Sequence, residues 1–342
     1  MLSLLAVAST GLVSAPSWTL LCGGDVMLNS VGVAKNPFAG IAATVRGSDI
    51  AYANLEIPLT NVTTRTPRKT PEQVARKSQF ILKADPGHGK WLKATGFDVV
   101  SLGNNHTMDY LKGGLEQMLG ILDREKIAYA GGGENLNAAL APAVLDTAGL
   151  RVGVISYLSF RDKSSNWACW PATANGPGIA VLDFGGRMDA KKAGEVKRAV
   201  AKAKRSCDFL VVALHWGVEK TYVPIEYQVA LGRAWIDGGA DVVVGAHPHR
   251  LQGGEVYKGK PILYSMGNLI SPLPGDTALI RLKFEGRTFR NAEVIPARIS
   301  GGRVGLQTGS AKAKGLQFFA DLCAKVRAKF PNPRSAALTE QP

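Results

Sequence analysis

The sequence predicts an α/β fold, in which helices cover the faces of a β-sheet. Three observations lead to this prediction. Short apolar runs rich in Val, Ile and Leu recur along the chain, as they do in buried strands. Amphipathic stretches with helical spacing lie between these runs. The chain has 342 residues, of which 46% are hydrophobic, so it can bury a large core.

Five apolar runs are predicted to be strands, and three amphipathic stretches between them are predicted to be helices. The predicted strands span residues 18–22, 49–53, 98–102, 209–214 and 241–244. The predicted helices span residues 111–125, 190–205 and 225–237. A basic amphipathic helix is also predicted at 311–330, and a frayed tail at 331–342.

A long irregular segment at residues 161–178 interrupts this alternation. Loops of this length are often functional. Its two tryptophans, Trp167 and Trp170, either line a substrate cleft or pack the loop onto the body of the protein.

Each of the five predicted strands is followed by a polar cluster with residue types that bind metal ions. These clusters contain Asp25, Asn54 with Glu56, Asn105, His215, and the pair His247 and His249. Ligands of α/β sheets bind beyond the carboxyl ends of the strands, so these side chains are expected to meet. One polar strand end is ordinary turn chemistry, but five with Asp, Glu, Asn or His are hard to explain in that way.

The strand-end residues predict a site for one or two divalent ions, because imidazole and carboxylate ligands suit Zn, Mn and Fe. The predicted ligands are Asp25, Glu56, Asn105, His215, His247 and His249. Asn54 is an alternative to Glu56, which we prefer because an anionic oxygen can bridge two cations. Two such ions would make water nucleophilic and stabilise a departing oxyanion. The competing interpretation is a hydrogen-bonded polar cleft without metal.

His106 is predicted to be a catalytic proton donor. Asp109 follows it by one helical turn and can fix one ring nitrogen, which leaves the other nitrogen pointing outward. The alternative role for Asp109 is to cap the helix that follows. His88 lies in a Gly-rich turn and is predicted to be on the surface.

The net charge of +14 favours anionic partners such as nucleic acid, anionic lipid or an acidic polymer. Nucleic acid is not expected, because the sequence has no cluster of Arg and aromatic residues of the kind that binds single strands. The four cysteines form no C-x-x-C pair and are predicted to be free buried thiols.

The first 16 residues resemble a shortened signal peptide. Residues 2–13 are mostly apolar and residues 13–15 look like a cleavage site, but the first basic residue is Lys35. The alternatives are a truncated start and a leading strand. We expect an exported protein, in the periplasm or at the cell surface.

The motifs, in this order, resemble the bacterial capsule synthesis protein CapA family, which is associated with poly-γ-glutamate biosynthesis. The matching segments lie between residues 19 and 270: 24–28, 54–56, 104–110, 215–219, 238–249 and 264–268. The family is similar to calcineurin-like metallophosphoesterases. The resemblance therefore implies a metallophosphoesterase-like four-layer α/β/β/α sandwich over residues 17–300, with a C-terminal helix and tail at 301–342.

The resemblance also implies roles for individual residues. Asn105 and the three strand-end histidines match ligand positions, and His106 matches the acid. Met27 stands where the related enzymes have a histidine ligand, so one of the two ions is expected to be bound more weakly, or with the help of water or Glu219. Asn54, Trp216 and Glu219 are predicted to bind substrate, and Glu219 is either a catalytic base or an ordinary ion-pair partner.

The expected function is metal-dependent hydrolysis in the biosynthesis of poly-γ-glutamate or a related surface polymer. The expected partners are an anionic polymer or peptide-like substrate and other membrane proteins of capsule synthesis. The alternatives are a phosphoesterase acting on a small phosphate ester, a metal-dependent peptide epimerase, and a polymer-binding or export accessory without turnover.

Overall fold

Two β-sheets form the centre of the computed structural model, which describes residues 15–159, 169–182 and 188–338. The strands are β1 (Ser17–Val26), β2 (Ile50–Leu55), β3 (Val99–Ser101), β4 (Ala128–Ala130), β5 (Gly132–Gly133), β6 (Ala143–Thr147), β7 (Leu150–Leu158), β8 (Gly178–Ile179), β9 (Phe209–His215), β10 (Val242–Ala246), β11 (Leu251–Tyr257), β12 (Lys260–Met266), β13 (Asn268–Ile270), β14 (Gly275–Glu285), β15 (Thr288–Ser300), β16 (Arg303–Leu306) and β17 (Ser335–Ala336). The helices are α1 (Ala42–Arg46), α2 (Pro71–Ala75), α3 (His88–Thr95), α4 (Leu111–Arg124), α5 (Leu136–Ala139), α6 (Ala190–Ala203), α7 (Glu226–Asp237) and α8 (Gly309–Lys329).

The two large sheets have mixed topology, with a parallel half in each. The first runs β16-β15-β14-β1-β2-β3-β4, and β13 also pairs with β1. Strands β1 to β4 are parallel, and β14 to β16 extend the sheet in antiparallel fashion. The second runs β17-β11-β12-β10-β9-β7-β6, with β7, β9, β10 and β12 parallel. The parallel halves carry the strand ends that matter for function.

Side chains alternate between the faces of each strand and so divide the core into three layers of contact. Leu20 of β1 and Val211 of β9 lie in the cluster between the two sheets. Leu21 packs outward in the cluster that includes Met118 of α4. Leu210 packs outward, on the other side, in the cluster that includes Trp235 of α7. This arrangement is the predicted α/β/β/α sandwich, which is therefore confirmed.

The predicted strands and helices are present, with different ends. Strand β1 continues to Val26, so Asp25 lies within the strand rather than after it. The extension arises because Asp25 pairs with Asn54 of β2 on one side and Asn268 of β13 on the other. Strand β9 likewise ends on His215 itself. The three predicted helices correspond to α4, α6 and α7.

The C-terminal segment differs in part from its prediction. Helix α8 is present as predicted, and its residues Phe319, Leu322 and Cys323 belong to the core between the sheets. The frayed tail is wrong for residues 335–338, because β17 pairs with β11 and Leu338 is buried. Residues 339–342 lie outside the described residues, as do residues 1–14 of the predicted signal segment. Among the described helices, none has both the length and the apolar character needed to cross a membrane.

The prediction for His88 is wrong. Its side chain is buried, and Nε2 lies 3.1 Å from the main-chain oxygen of Val31. The reason is that the Gly-rich turn leads directly into α3, and Gly89 lies against Ile121 of α4. The prediction that the four cysteines are buried thiols is confirmed, since all are buried and none forms a disulfide.

Candidate metal centre

The carboxyl ends of strands from both sheets meet at one edge of the sandwich. Asp25 comes from β1, Glu56 follows β2, His215 ends β9, and His247 and His249 follow β10. Parallel strands place their carboxyl ends on the same side, so residues far apart in the chain converge. All but His249 are at most 5% exposed.

The backbone around the two last histidines is unusual. His247 has φ 96° and His249 has φ 52°, with Pro248 between them. Positive φ is uncommon for residues other than glycine, and such strain persists only where the surroundings hold it in place. The main-chain N–H of His247 donates to Oδ2 of Asp25 at 3.3 Å, which joins β10 to β1.

Gly24 has a packing role. A Cβ atom there would lie 2.0 Å from the main-chain oxygen of Gly267, and the next N–H, that of Asp25, donates to the same oxygen at 2.7 Å. The glycine therefore lets β1 approach the chain between β12 and β13. This close approach fixes the position of Asp25.

Two groups of three potential ligands share Glu56. The first is Glu56, His215 and His247, and the second is Asp25, Glu56 and His249. Within each group the ligand atoms lie within 4.8 Å of one another. Oε1 of Glu56 lies 3.7 Å from Nε2 of His215 and 3.6 Å from Nε2 of His249. A shared carboxylate of this kind is the arrangement expected for a bridge between two cations.

Glu56 is itself an unsatisfied group. Its side chain is 0% exposed, and neither carboxylate oxygen has a hydrogen-bond partner among the described residues. Burial, together with the nearby carboxylate of Asp25, raises the pKa of Glu56 well above its usual range. A buried carboxylate without donors is unfavourable unless a cation compensates its charge. The residues present therefore fit a divalent ion.

The histidines differ in their preferred charge. Burial and the neighbouring imidazoles hold the pKa of His215 and of His247 well below its ordinary value, so both rings favour the neutral form that binds metals. Burial opposes charge on His249 as well, but Glu56 and Asp25 raise its pKa to about 10. Nδ1 of His249 lies 3.3 Å from Oδ2 of Asp25 and 2.8 Å from Oδ1 of Asn268.

Asn54 and Asn105 have different positions relative to the ligands. The amide of Asn54 donates to Oδ1 of Asp25 at 2.8 Å, and its oxygen accepts from Ser101 at 2.8 Å. Asn54 is buried and orients Asp25, so the prediction that it contacts substrate is wrong. Oδ1 of Asn105 lies 2.8 Å from Nε2 of His215, which brings two predicted ligand atoms to one point.

A buried lysine joins the pair formed by His106 and Asp109. Nδ1 of His106 lies 2.8 Å from Oδ2 of Asp109. Nζ of Lys69 donates to Oδ1 of Asp109 and to the main-chain oxygen of Asn105, the latter at 3.0 Å, and lies 3.2 Å from Nδ1 of His106. Burial and the charge of Lys69 lower the pKa of His106. The sequence gives no signal for Lys69, which lies in an irregular segment before α2.

Asp109 does not cap the following helix, so that alternative is wrong. Helix α4 has Tyr110 at its N-cap position and no side-chain cap. The second oxygen of Asp109 instead accepts the main-chain N–H of Leu82 at 2.7 Å. One carboxylate oxygen of Asp109 therefore contacts both the main chain at Leu82 and the ring of His106.

A cleft of about 1110 Å³ opens over this centre. Its lining includes Met27, His106, His249, Asn268 and Glu219. Glu219 is exposed, and its carboxylate lies within 4.8 Å of the potential ligand atoms of His247 and His249.

Neither Trp216 nor Trp170 lines the cleft, and of the two alternatives for Trp170 the structure favours packing onto the body of the protein. Trp216 is 0% exposed and its Nε1 donates to the main-chain oxygen of Tyr264 at 2.8 Å, so the prediction that it contacts substrate is wrong. Trp170 packs under Arg68, whose guanidinium lies 3.7 Å from the ring centroid. Trp167 lies outside the described residues.

Comparison with known proteins agrees with the motifs of the sequence. A family model described as bacterial capsule synthesis protein PGA_cap matches residues 19–273. The capsule biosynthesis protein CapA of Bacillus anthracis is 29% identical over 78% of this chain and 62% of its own length. The PGA biosynthesis protein CapA of Bacillus subtilis is 30% identical over 78% of this chain and 66% of its own length. The chain therefore spans slightly less than two thirds of these relatives.

A probable polyglutamine synthesis accessory protein of Mycobacterium tuberculosis is 28% identical over 67% of this chain and 57% of its own length. Among solved structures, a hypothetical protein from Thermus thermophilus has a TM-score of 0.47 at 15% identity, covering 82% of this chain and 99% of that one. A 5′-nucleotidase from Candida albicans has a TM-score of 0.39 at 11% identity, covering 92% of this chain and 54% of that one. By the match to residues 19–273, the chain belongs to the bacterial capsule synthesis protein family PGA_cap.

Proposed function

We propose that this protein is a metal-dependent hydrolase in the biosynthesis of an anionic surface polymer of the poly-γ-glutamate type. The observation that carries the proposal is the buried carboxylate of Glu56, which lacks hydrogen-bond partners among the described residues and is shared by two groups of ligands. A carboxylate buried without hydrogen-bond donors is unfavourable, and a cation bound beside it would compensate its charge.

The ligand set would divide between two positions. Glu56, His215, His247 and Asn105 surround one, and Asp25, Glu56 and His249 surround the other. Divalent ions held there would supply activated water and would neutralise charge that develops on the substrate. Met27 lines the cleft, but its thioether is a weak ligand. We therefore propose that the position next to Asp25, Glu56 and His249 binds its ion more weakly, with Glu219 as an additional ligand.

His106 has the geometry of a proton donor or acceptor. Asp109 and Lys69 hold its Nδ1, and the ring lines the cleft. Its Nε2 is therefore the atom that exchanges a proton with substrate. Lys69 donates hydrogen bonds to both Asp109 and the main-chain oxygen of Asn105. It therefore fixes the position of His106 relative to Asn105, a candidate metal ligand.

The polymer assignment rests on family membership and on charge. The relatives carry names of capsule and PGA biosynthesis, and the net charge of +14 favours an anionic substrate. Work on a surface polymer requires an exported protein, and we propose export and contact with other proteins of capsule synthesis on the same basis.

A second candidate is an accessory role in polymer binding or export. The loss of a histidine ligand at Met27 favours it, and one relative is named as an accessory protein. The geometry of His106 favours an enzyme, because binding alone does not need an imidazole held between Asp109 and Lys69.

Metal analysis combined with a turnover assay tests the proposal. Purified protein is supplied with Mn²⁺ or Zn²⁺, and hydrolysis of γ-glutamyl oligomers and of phosphodiesters is measured. We expect stoichiometric metal, and we expect loss of both metal and turnover in His215→Ala and His247→Ala. His88→Gln serves as the control, since His88 is buried outside the centre. Wild-type protein that takes up no metal, or histidine variants that keep full turnover, would contradict the proposal.

A further inference from the structure

One face of helix α8 forms a wall of the cleft. Ala311, Lys314, Gly315 and Phe318 line it, and their spacing places them on a single helical face. This helix lies beyond residues 19–273, the part of the chain that matches the family model. The wall is therefore a feature of this chain's own C-terminal region.

Helix α8 is anchored mainly by its second half, although Gly315 in the first half packs against Pro296. The buried residues of the helix are Phe319, Leu322, Cys323 and Val326. The first half has no buried residue, and Phe318 is 40% exposed where it faces the cleft. An exposed aromatic ring beside a candidate active site is costly to leave in water, which indicates a contact with a ligand.

A continuous series of side chains connects this wall to the metal centre. Arg250 follows the candidate ligand His249 directly, and its guanidinium lies 5.9 Å from the ring centroid of Tyr222. The Tyr222 ring, 46% exposed, meets the ring of Phe318 edge-on at 5.8 Å. One cation followed by two aromatic rings therefore connects the centre to α8.

The charges along this path are free to meet a ligand. Lys220, Arg250 and Lys314 line the cleft and form no ion pair with any residue in the described ranges. Arg298, also in the lining, is instead paired with Asp276 at 2.7 Å. The acidic lining residue Glu219 lies beside His247 and His249, close to the centre. The outer part of the cleft is therefore positively charged.

The cleft has room for an extended ligand. Its volume is about 1110 Å³, and its lining runs from His106 and His249 at the candidate metal centre to Lys314 and Phe318 on α8. We propose that Arg250, Tyr222, Lys314 and Phe318 form a subsite for an extended, carboxylate-bearing peptide-like chain whose reacting bond lies at the metal centre. The cations bind carboxylates, and the two rings cover the aliphatic segments between them. The proposal rests on the proposed function for the location of the reacting bond, but not for binding itself.

Equilibrium binding tests the subsite. The probe is a fluorescent oligomer of γ-linked glutamate, long enough to fill the cleft, and the readout is anisotropy at low salt. Lys314→Glu is expected to weaken binding on the order of fivefold, because it replaces attraction by repulsion at an exposed site. Phe318→Ala is expected to weaken it roughly threefold. An oligomer of γ-linked isoglutamine, in which each free α-carboxylate is replaced by an amide, is expected to bind far more weakly.

Lys312→Glu is the matched control, because Lys312 is exposed on the same helix but does not line the cleft. The subsite is refuted if Lys314→Glu and Lys312→Glu bind alike, if the isoglutamine oligomer binds as tightly as the glutamate oligomer, or if wild type binds neither. A failure of the hydrolase proposal is separate. In that case no condition gives turnover. In the His247→Ala background, however, the glutamate oligomer still binds more weakly to Lys314→Glu than to Lys312→Glu.

Discussion

Two glutamates of this protein are equally buried and have opposite surroundings. Glu255, on β11, accepts hydrogen bonds from Nε and Nη2 of Arg233, both at 2.9 Å, and from the hydroxyl of Tyr264 at 2.5 Å. Although burial opposes its charge, these donors hold the pKa of Glu255 below its usual value. Glu56 accepts no hydrogen bond among the described residues, and burial raises its pKa well above its usual value.

The difference separates a structural carboxylate from one that we propose to be functional. Glu255 links α7, β11 and β12, and its satisfied charge stabilises their packing. Ionised Glu56 has the unfavourable free energy of a buried carboxylate without hydrogen-bond donors, and its raised pKa follows from that burial. A folded chain that keeps such a group has it available for a cation.

The largest expected effect comes from removing the charge of Glu56. Glu56→Gln is expected to lower turnover more than about 100-fold, since loss of even an outer partner of metal ligands costs roughly 10- to 100-fold. Without added metal, its free energy of unfolding is expected to equal or exceed that of wild type, because a neutral amide is easier to bury than a carboxylate. A turnover assay with added Mn²⁺ measures the first half of the prediction, and melting curves with EDTA and with added Mn²⁺ measure the second.

The proposed difference between Glu56 and Glu255 is contradicted if Glu56→Gln is strongly destabilised in EDTA, because Glu56 would then be a structural group like Glu255. It also breaks if added Mn²⁺ raises the melting temperature of wild type and of Glu56→Gln by the same amount, since stabilisation by a ligand requires binding to the folded state.

The opposite result is expected for Glu255. Glu255→Gln removes the partner of Arg233, so the free energy of unfolding is expected to fall by about 2 kcal/mol. Turnover per folded molecule and stabilisation by Mn²⁺ are expected to stay at wild-type values, because Glu255 does not line the cleft. Urea denaturation, followed by assays of the folded fraction, provides the measurement. A variant of unchanged stability that had lost turnover would reverse the assignment of the two glutamates.

The smallest expected effect concerns Lys69. Lys69→Met leaves the ligands in place but releases Asp109 and the main chain of Asn105, so kcat is expected to fall about 10-fold with little change in metal content. The matched control is Arg65→Met, which removes the same charge from an exposed residue four positions earlier in the chain. Equal kcat values for the two variants would show that Lys69 only tethers its segment.

The strand-end ligands were predictable because their signal is local. A polar residue that ends an apolar run marks the edge of a sheet wherever it occurs in the chain. Asp25, Asn105, His215, His247 and His249 could be named on that basis, and the structure brings them together. The layers of the fold were predictable for a similar reason, since strand and helix periodicity determine which faces are buried.

Burial of single polar groups could not be predicted in the same way. His88 and Trp216 follow local patterns typical of exposed or ligand-facing residues, yet both are buried because neighbouring elements cover them. The tail at 335–338 is ordered only because β11 offers it a free edge.

The sequence by itself determined the layered fold, the family and most of the ligand set, because these depend on short motifs and on periodicity. Only the tertiary structure decided that Glu56 has no hydrogen-bond donor, that Lys69 joins His106 to Asp109, and that α8 forms a wall of the cleft. The physical reason is that the charge state and accessibility of a side chain depend on neighbours that are distant in sequence. Lys69 is 40 residues from Asp109, and Phe318 is brought to Tyr222 by the packing of α8.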